Sequence, residues 1–174
     1  AASDVYKRQG VAQLYGGVEN MCAALDAWND VDGVYHIGGY YTQIHEMIEM
    51  TKLSWGQNEH GNQPNHHVLW MYIAAGCPSN GQYWLRQTMT KLYKPTADMF
   101  AGDEDNGELS AWYLLSAMGV YALAPGSTEY IIGSPLFTRM EVQLGESGRT
   151  LEILAPNNNA ENVYVQSVSL NGRT

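Results

Sequence analysis

The stretch Gly102-Asp103-Glu104-Asp105-Asn106-Gly107 sets two aspartates two residues apart between glycines. In an extended loop residues i and i+2 point to the same side, so Asp103 and Asp105 are expected to share one spot. Neighbouring carboxylates raise each other's proton affinity, which suits a general base taking a proton from an attacking water. By spacing alone the stretch also reads as a solvated acidic turn, because Asp, Asn and Gly are turn residues. An EF-hand reading fails: counted from Asp103, the fifth and sixth positions are Gly107 and Glu108, where that loop needs a ligand and a glycine.

Two further stretches concentrate polar side chains. His45-Glu46 stands with Glu49 at the start of a short helical pattern, and Glu46 and Glu49 share a face through their spacing of three. Gln57 to His67 carries Glu59, His60, Asn62, Gln63, His66 and His67. Adjacent His66 and His67 diverge by about 100° on a helix and are poorly placed to hold one metal together. The two-histidine, four-apart pattern of zinc helices is absent. His60 reads in two ways, as a loop residue orienting a substrate hydroxyl or as a hydrogen-bonded structural histidine. Asn62, Gln63 and the carboxylates are oxygen donors, which suit Ca²⁺ rather than Zn²⁺. No phosphate cradle and no serine elbow is present.

These loops need a scaffold, and the first two-thirds of the chain reads as helices. Leu14, Val18, Met21, Cys22, Leu25 and Trp28 recur at spacings of three and four, one apolar face of one helix. Ile44, Met47 and Ile48 mark a second, shorter face. Pro64 is expected to open a third helix that stops at Gly76, and Ser79 to cap a fourth through Trp84, Leu85, Met89 and Leu92. A fifth runs from Leu109 to Met118. Past Pro125-Gly126 the period changes to two: Tyr130 to Ile132, Met140 to Leu144, Leu151 to Ala155 and Val163 to Val168 read as strands. The organisation expected is a helical toroid or bundle over residues 10–124, then an antiparallel β region over 125–174. Residues 1–9 lack any period and read as a non-native leader.

Composition narrows the partners. The 174 residues carry 9 Lys+Arg against 18 Asp+Glu, a formal net charge of −9, with no basic run. A nucleic-acid or anionic-membrane partner is disfavoured, and no apolar run reaches the roughly 18 residues of a membrane span. Twelve Tyr and five Trp against two Phe favour side chains with a flat apolar face and a polar edge, which suit sugar rings as well as half-buried core positions. Cys22 and Cys77 fit no metal or redox spacing and are expected as buried free thiols, with one disulfide as the alternative.

Several stretches, in order and spacing, resemble glycoside hydrolase family 92. They are Gly38-Gly39-Tyr40 through His45-Glu46-Met47-Ile48-Glu49-Met50, His60-Gly61-Asn62-Gln63-Pro64-Asn65-His66-His67, and Gly102 to Gly107 followed by Ser110-Ala111-Trp112-Tyr113. Gly133-Ser134-Pro135-Leu136-Phe137 and Ala155-Pro156-Asn157-Asn158 extend the likeness into the tail, so that it covers about residues 10–174. The resemblance implies a calcium-dependent, inverting exo-α-mannosidase acting on N-glycans or mannan. It implies a fold that is mainly α with β, part of an (α/α) helical toroid followed by antiparallel β-sandwich strands, and a secreted or periplasmic parent protein. On the matching positions it implies Asp103 and Asp105 as the general-base site, with Asp105 activating water. His45 and Glu46 would contact the leaving-group sugar and favour an α-1,2 linkage. His60 would touch substrate, and Glu49, Asn62 and Gln63 would line the calcium site.

One departure qualifies this. The family's general acid is a Glu in a Glu-Gly-…-Trp-Gln-Tyr context upstream of the segment matching Leu14 to Gly17, and neither Glu19 nor Glu59 sits in that context. The chain is thus expected to carry the base side of a site without its acid and to be inactive alone. Two other readings stay open, a non-catalytic carbohydrate-binding module and a purely structural helical–β domain.

Overall fold

A computed structural model describes residues 8–174, so most of the expected leader lies outside the described residues. Among the described residues, six α-helices come first: α1 (Arg8–Leu14), α2 (Val18–Asp30), α3 (His45–Leu53), α4 (Val68–Ala75), α5 (Pro78–Lys91) and α6 (Glu108–Met118). Two antiparallel pairs follow. β1 (Val120–Tyr121) pairs with β2 (Ile131–Ile132), and β3 (Arg139–Gln143) with β4 (Thr150–Leu154). Helices followed by short antiparallel strands agree with the coarse expectation.

The single helix expected from Leu14 to Trp28 is two helices. Gly16 and Gly17 sit at φ 79° and 131°, conformations that suit glycine and break a right-handed helix. Leu14 is left exposed, while Met21 and Cys22 are buried. Pro64 lies in a 3₁₀ turn (Gln63–Asn65), and α4 opens only at Val68. Cys77 rather than Ser79 precedes α5, since Pro78 occupies its first turn, where a missing N–H costs nothing. Gly76 and Gly119 end α4 and α6 in left-handed conformations, each donating back to carbonyls of the last turn.

The core lies between α4, α5 and α6. Leu69, Trp70, Tyr72, Leu85, Met89, Trp112 and Ala117 are buried together with Leu123. Residues on α4 are buried on nearly every side, which fits its continuous apolar sequence Val-Leu-Trp-Met-Tyr-Ile. Cys22 and Cys77 form a disulfide tying α2 to the start of α5. The expectation of two free thiols is corrected: helical spacing reports burial but not which buried thiols meet.

Alternation along β3 and β4 is as the period of two requires, with Met140, Val142, Leu151 and Ile153 turned inward. Val163 to Val168 does not form the expected strand. Its backbone is met by side chains instead: Ser134 Oγ donates to the Val163 carbonyl at 2.6 Å, and the Val165 N–H donates to Gln82 Oε1 at 3.0 Å. Buried Arg86 fastens the tail to α5, donating to Pro135 O at 2.6 Å and Asn158 Oδ1 at 2.7 Å.

Candidate active site

Helix α3 presents its first turn as a charged clasp. His45 Nδ1 lies 3.2 Å from Glu49 Oε1, one turn on, and Nε2 lies 3.3 Å from Glu46 Oε1. The hydrogen bond to Glu49 holds the imidazole above its ordinary range, helped by the charges of Glu46, Glu49 and Asp103. Asp103, from a loop more than fifty residues away, is therefore part of the same electrostatic neighbourhood.

Two glycines let the loops close on this helix. Gly61 and Gly102 cross so tightly that a methyl on Gly61 would come within 3.0 Å of Gly102 Cα. A methyl on Gly102 would meet Glu49 Oε2 at 2.6 Å. A side chain at either position would push the backbones apart. The crossing brings the Gln57–Gln63 loop, the Gly102–Gly107 loop and the start of α3 to one place. A second tie is the hydrogen bond from Gln63 Nε2 to Asp105 Oδ2.

The acidic loop is not the extended strand expected from spacing. Asp105, Asn106 and Gly107 lie at φ 57°, 58° and 102°, left-handed conformations that Asp and Asn tolerate better than other side chains. The chain turns at Asp105, so the two aspartates do not share a side by strand alternation. Glu104 fixes the turn. Its carboxylate accepts from Gly107 N at 2.6 Å, Ser110 N at 3.1 Å and Ser110 Oγ at 2.6 Å. These bonds hold its proton affinity below the usual carboxylate range, led by the Ser110 hydroxyl. They also satisfy N–H groups at the start of α6 that would otherwise lack partners. Asp103 and Asp105 remain exposed beside this anchored residue.

His60 lies on the inner side of its loop. It is 1% exposed, its Nε2 is 2.9 Å from Tyr93 Oη, and its ring meets Trp112 edge to face at 4.3 Å. Burial, with a smaller contribution from His66, lowers it to about 3, so it is neutral at any ordinary pH. Its carbonyl accepts from His66 Nε2 at 3.0 Å, and the His66 carbonyl accepts from Trp112 Nε1 at 2.9 Å. His66 Nδ1 reaches Glu108 at 3.2 Å. This network seats the loop on α6, and in it His60 is a buried anchor.

Glu59 was not singled out by spacing. It is 5% exposed, and Gly61 N donates to its Oε1 at 3.1 Å. Burial first, then the negative charge of Glu49, pushes its carboxyl up to about 7. Glu104, Tyr93 and Trp112 were also missed as positioning residues; the one signal available was a glutamate ahead of a helix start.

Glu46 Oε2 and Glu59 Oε2, whose charges face each other, are buried oxygens with no hydrogen-bond partner. Such oxygens fit a hard cation that takes carboxylate and amide ligands. Among the described residues no three Asp, Glu, His or Cys side chains are already gathered as a metal cluster, so a cation here would draw on amide or carbonyl oxygens as well. Of the expected metal residues, Glu49 borders the crossing, Gln63 is engaged with Asp105, and Asn62 leads into the 3₁₀ turn between them.

Loops carried on helices thus bring a carboxylate-rich site together. The chain belongs to glycosyl hydrolase family 92, whose catalytic-domain model matches residues 4–174. It is 42% identical to the family GH92 inverting mannosidase BT2199 of Bacteroides thetaiotaomicron, at a TM-score of 0.76 over 97% of this chain and 23% of that one. The α-mannosidase BT3965 of the same organism, solved with mannoimidazole, is 31% identical at a TM-score of 0.74 over 89% of this chain and 19% of that one. An uncharacterized secreted glycosidase of Arthroderma benhamiae is 26% identical over 115 residues, 65% of this chain and 15% of that protein. The chain thus spans less than a quarter of the length of each of these relatives.

Proposed function

We propose that this chain is the base-bearing segment of an inverting, calcium-assisted exo-α-mannosidase. The observation that carries the reading is the convergence at the Gly61–Gly102 crossing, where Glu49, the Gln63–Asp105 bond and the exposed Asp103 come together. The likeness to two mannosidases supports mannose as the sugar removed.

In an inverting hydrolysis a carboxylate takes a proton from a water that attacks the anomeric carbon, and an acid about 6.5–9.5 Å from that base protonates the leaving oxygen. Asp105 takes the base role, and Gln63 donates to one of its oxygens, which fixes the carboxylate's orientation and leaves the other free for water. Asp103 adds negative charge beside it and helps keep His45 protonated. His45, exposed at the helix start, donates to the sugar on the leaving side while Glu46 accepts from a sugar hydroxyl, and an α-1,2 linkage is the fit this reading favours. Calcium held by Glu49, Asn62 and Gln63 would supply positive charge to the sugar hydroxyls and favour a flattened ring. The acid comes from outside this chain, which is therefore inactive alone.

The helices form an arc of an (α/α) toroid, and the β pairs belong to a β-sandwich. The Cys22–Cys77 disulfide favours an oxidising compartment, in line with a secreted or periplasmic enzyme. Among the described residues no helix is long and apolar enough to cross a membrane. The test is hydrolysis of α-mannosides by the longer enzyme with calcium present and then chelated: loss of activity on chelation is expected, and full retention would defeat the calcium part of the reading.

A further inference from the structure

The carboxyl of Glu59 is 5% exposed, and its Oε2 has no hydrogen-bond partner. An isolated buried charge is costly, so such a group either stays protonated or is paired with a cation. Gly61 N donates to Oε1 at 3.1 Å, which fixes the carboxyl's orientation and leaves Oε2 available. Its backbone is equally well placed. The Glu59 carbonyl accepts from Asn62 N at 3.1 Å and Asn65 Nδ2 at 2.9 Å.

The surroundings point to a cation rather than a cationic side chain. Glu59 faces the negative charges of Glu49 and Glu46, with His45 as the opposing positive group. Glu59 Oε1 and Glu49 Oε2 lie against the same glycine crossing: a methyl on Gly61 would meet the first at 2.9 Å, and a methyl on Gly102 the second at 2.6 Å. Ala101 O borders the same point, 3.2 Å from that position on Gly61. Two carboxylates and a carbonyl round one backbone crossing match the mixed oxygen ligands of calcium.

We propose that Glu59 binds the same divalent cation as Glu49, through Oε2, from the buried side of the Gly61–Gly102 crossing. The inference rests on the calcium reading above and adds a ligand to it.

Calorimetric titration of this chain with CaCl₂ at pH 8, after chelator treatment, tests it. Glu59→Gln, which keeps the size and the contact to Gly61 N, is expected to weaken the calcium Kd at least ten-fold. Glu129→Gln, on an exposed loop, should stay within two-fold of the unaltered chain. A loss of less than ten-fold in Glu59→Gln, with Glu49→Gln abolishing binding, overturns this inference and leaves the calcium reading standing. No binding by the unaltered chain at millimolar calcium overturns both. A cooperative melt checks that each variant folds. If Glu59→Gln does not melt cooperatively, Glu59→Asp decides, with a weakening of at least three-fold expected and an unchanged Kd overturning the proposal.

Discussion

Gln63 Nε2 donates to Asp105 Oδ2, joining the tip of one loop to the turn of another across forty-two residues of sequence. The bond orients a carboxylate that stands at an exposed, left-handed position. On the proposed reading, changing Gln63 to Ala in the longer enzyme removes this orientation but leaves Asp105 in place. A fall in kcat of roughly 10–100-fold is expected, smaller than loss of Asp105 itself. Steady-state kinetics on an aryl α-mannoside gives the comparison, and a Gln63→Ala loss equal to that of Asp105→Asn would contradict it.

Gly102→Ala probes the crossing. The added methyl would lie 2.6 Å from Glu49 Oε2 and 3.0 Å from Gly61 Cα, so the Glu49 carboxylate must move and the Gly61 backbone must give. A destabilisation of about 1–3 kcal/mol is expected from overpacking of this kind. Urea denaturation of the chain measures it. A variant as stable as the unaltered chain would mean that the two loops are not held this closely.

Glu59 gives stability a pH dependence with a defined sign. Its carboxyl lies at about 7 in the folded chain, against about 4.3 when unfolded. Between these values the folded state binds more protons, so stability falls as pH rises through that window. The upper limit is ~4 kcal/mol. In chelator, Glu59→Gln should therefore raise Tm at pH 8 and leave it little changed at pH 4. Equal Tm differences at both pH values would contradict the assignment.

The Cys22–Cys77 disulfide closes a separation of 55 residues. Chain-entropy arguments give about 4 kcal/mol for a loop of that length. Replacing both cysteines by serine should lower Tm and make it insensitive to reductant. Identical melting of oxidised and reduced chain would argue against the bond.

How much of this was legible in the sequence differs from residue to residue. Met140, Val142, Leu151 and Ile153 declared their strands through a local period, and Gly76 and Gly119 declared helix ends, because those signals need only near neighbours. Val163 and Val165 carry the same period, yet Ser134 and Gln82 take their backbone groups. His60 reads either as a loop residue or as a structural histidine, and its partners Tyr93 and Trp112, which seat it in the interior, lie far along the chain. The burial of Glu59 and the pairing of Cys22 with Cys77 likewise depend on partners distant in the chain, which no spacing rule carries.

The central claim is that Asp105 is the general base of an inverting α-mannosidase. Turnover of an aryl α-mannoside by the longer enzyme, with Asp105 changed to Asn and calcium saturating, tests it most directly. A kcat lower by at least about 10²-fold is expected, with KM little altered and the variant folded by its melt. A folded Asp105→Asn enzyme keeping more than about a tenth of its kcat, well above that general-base range, would contradict it.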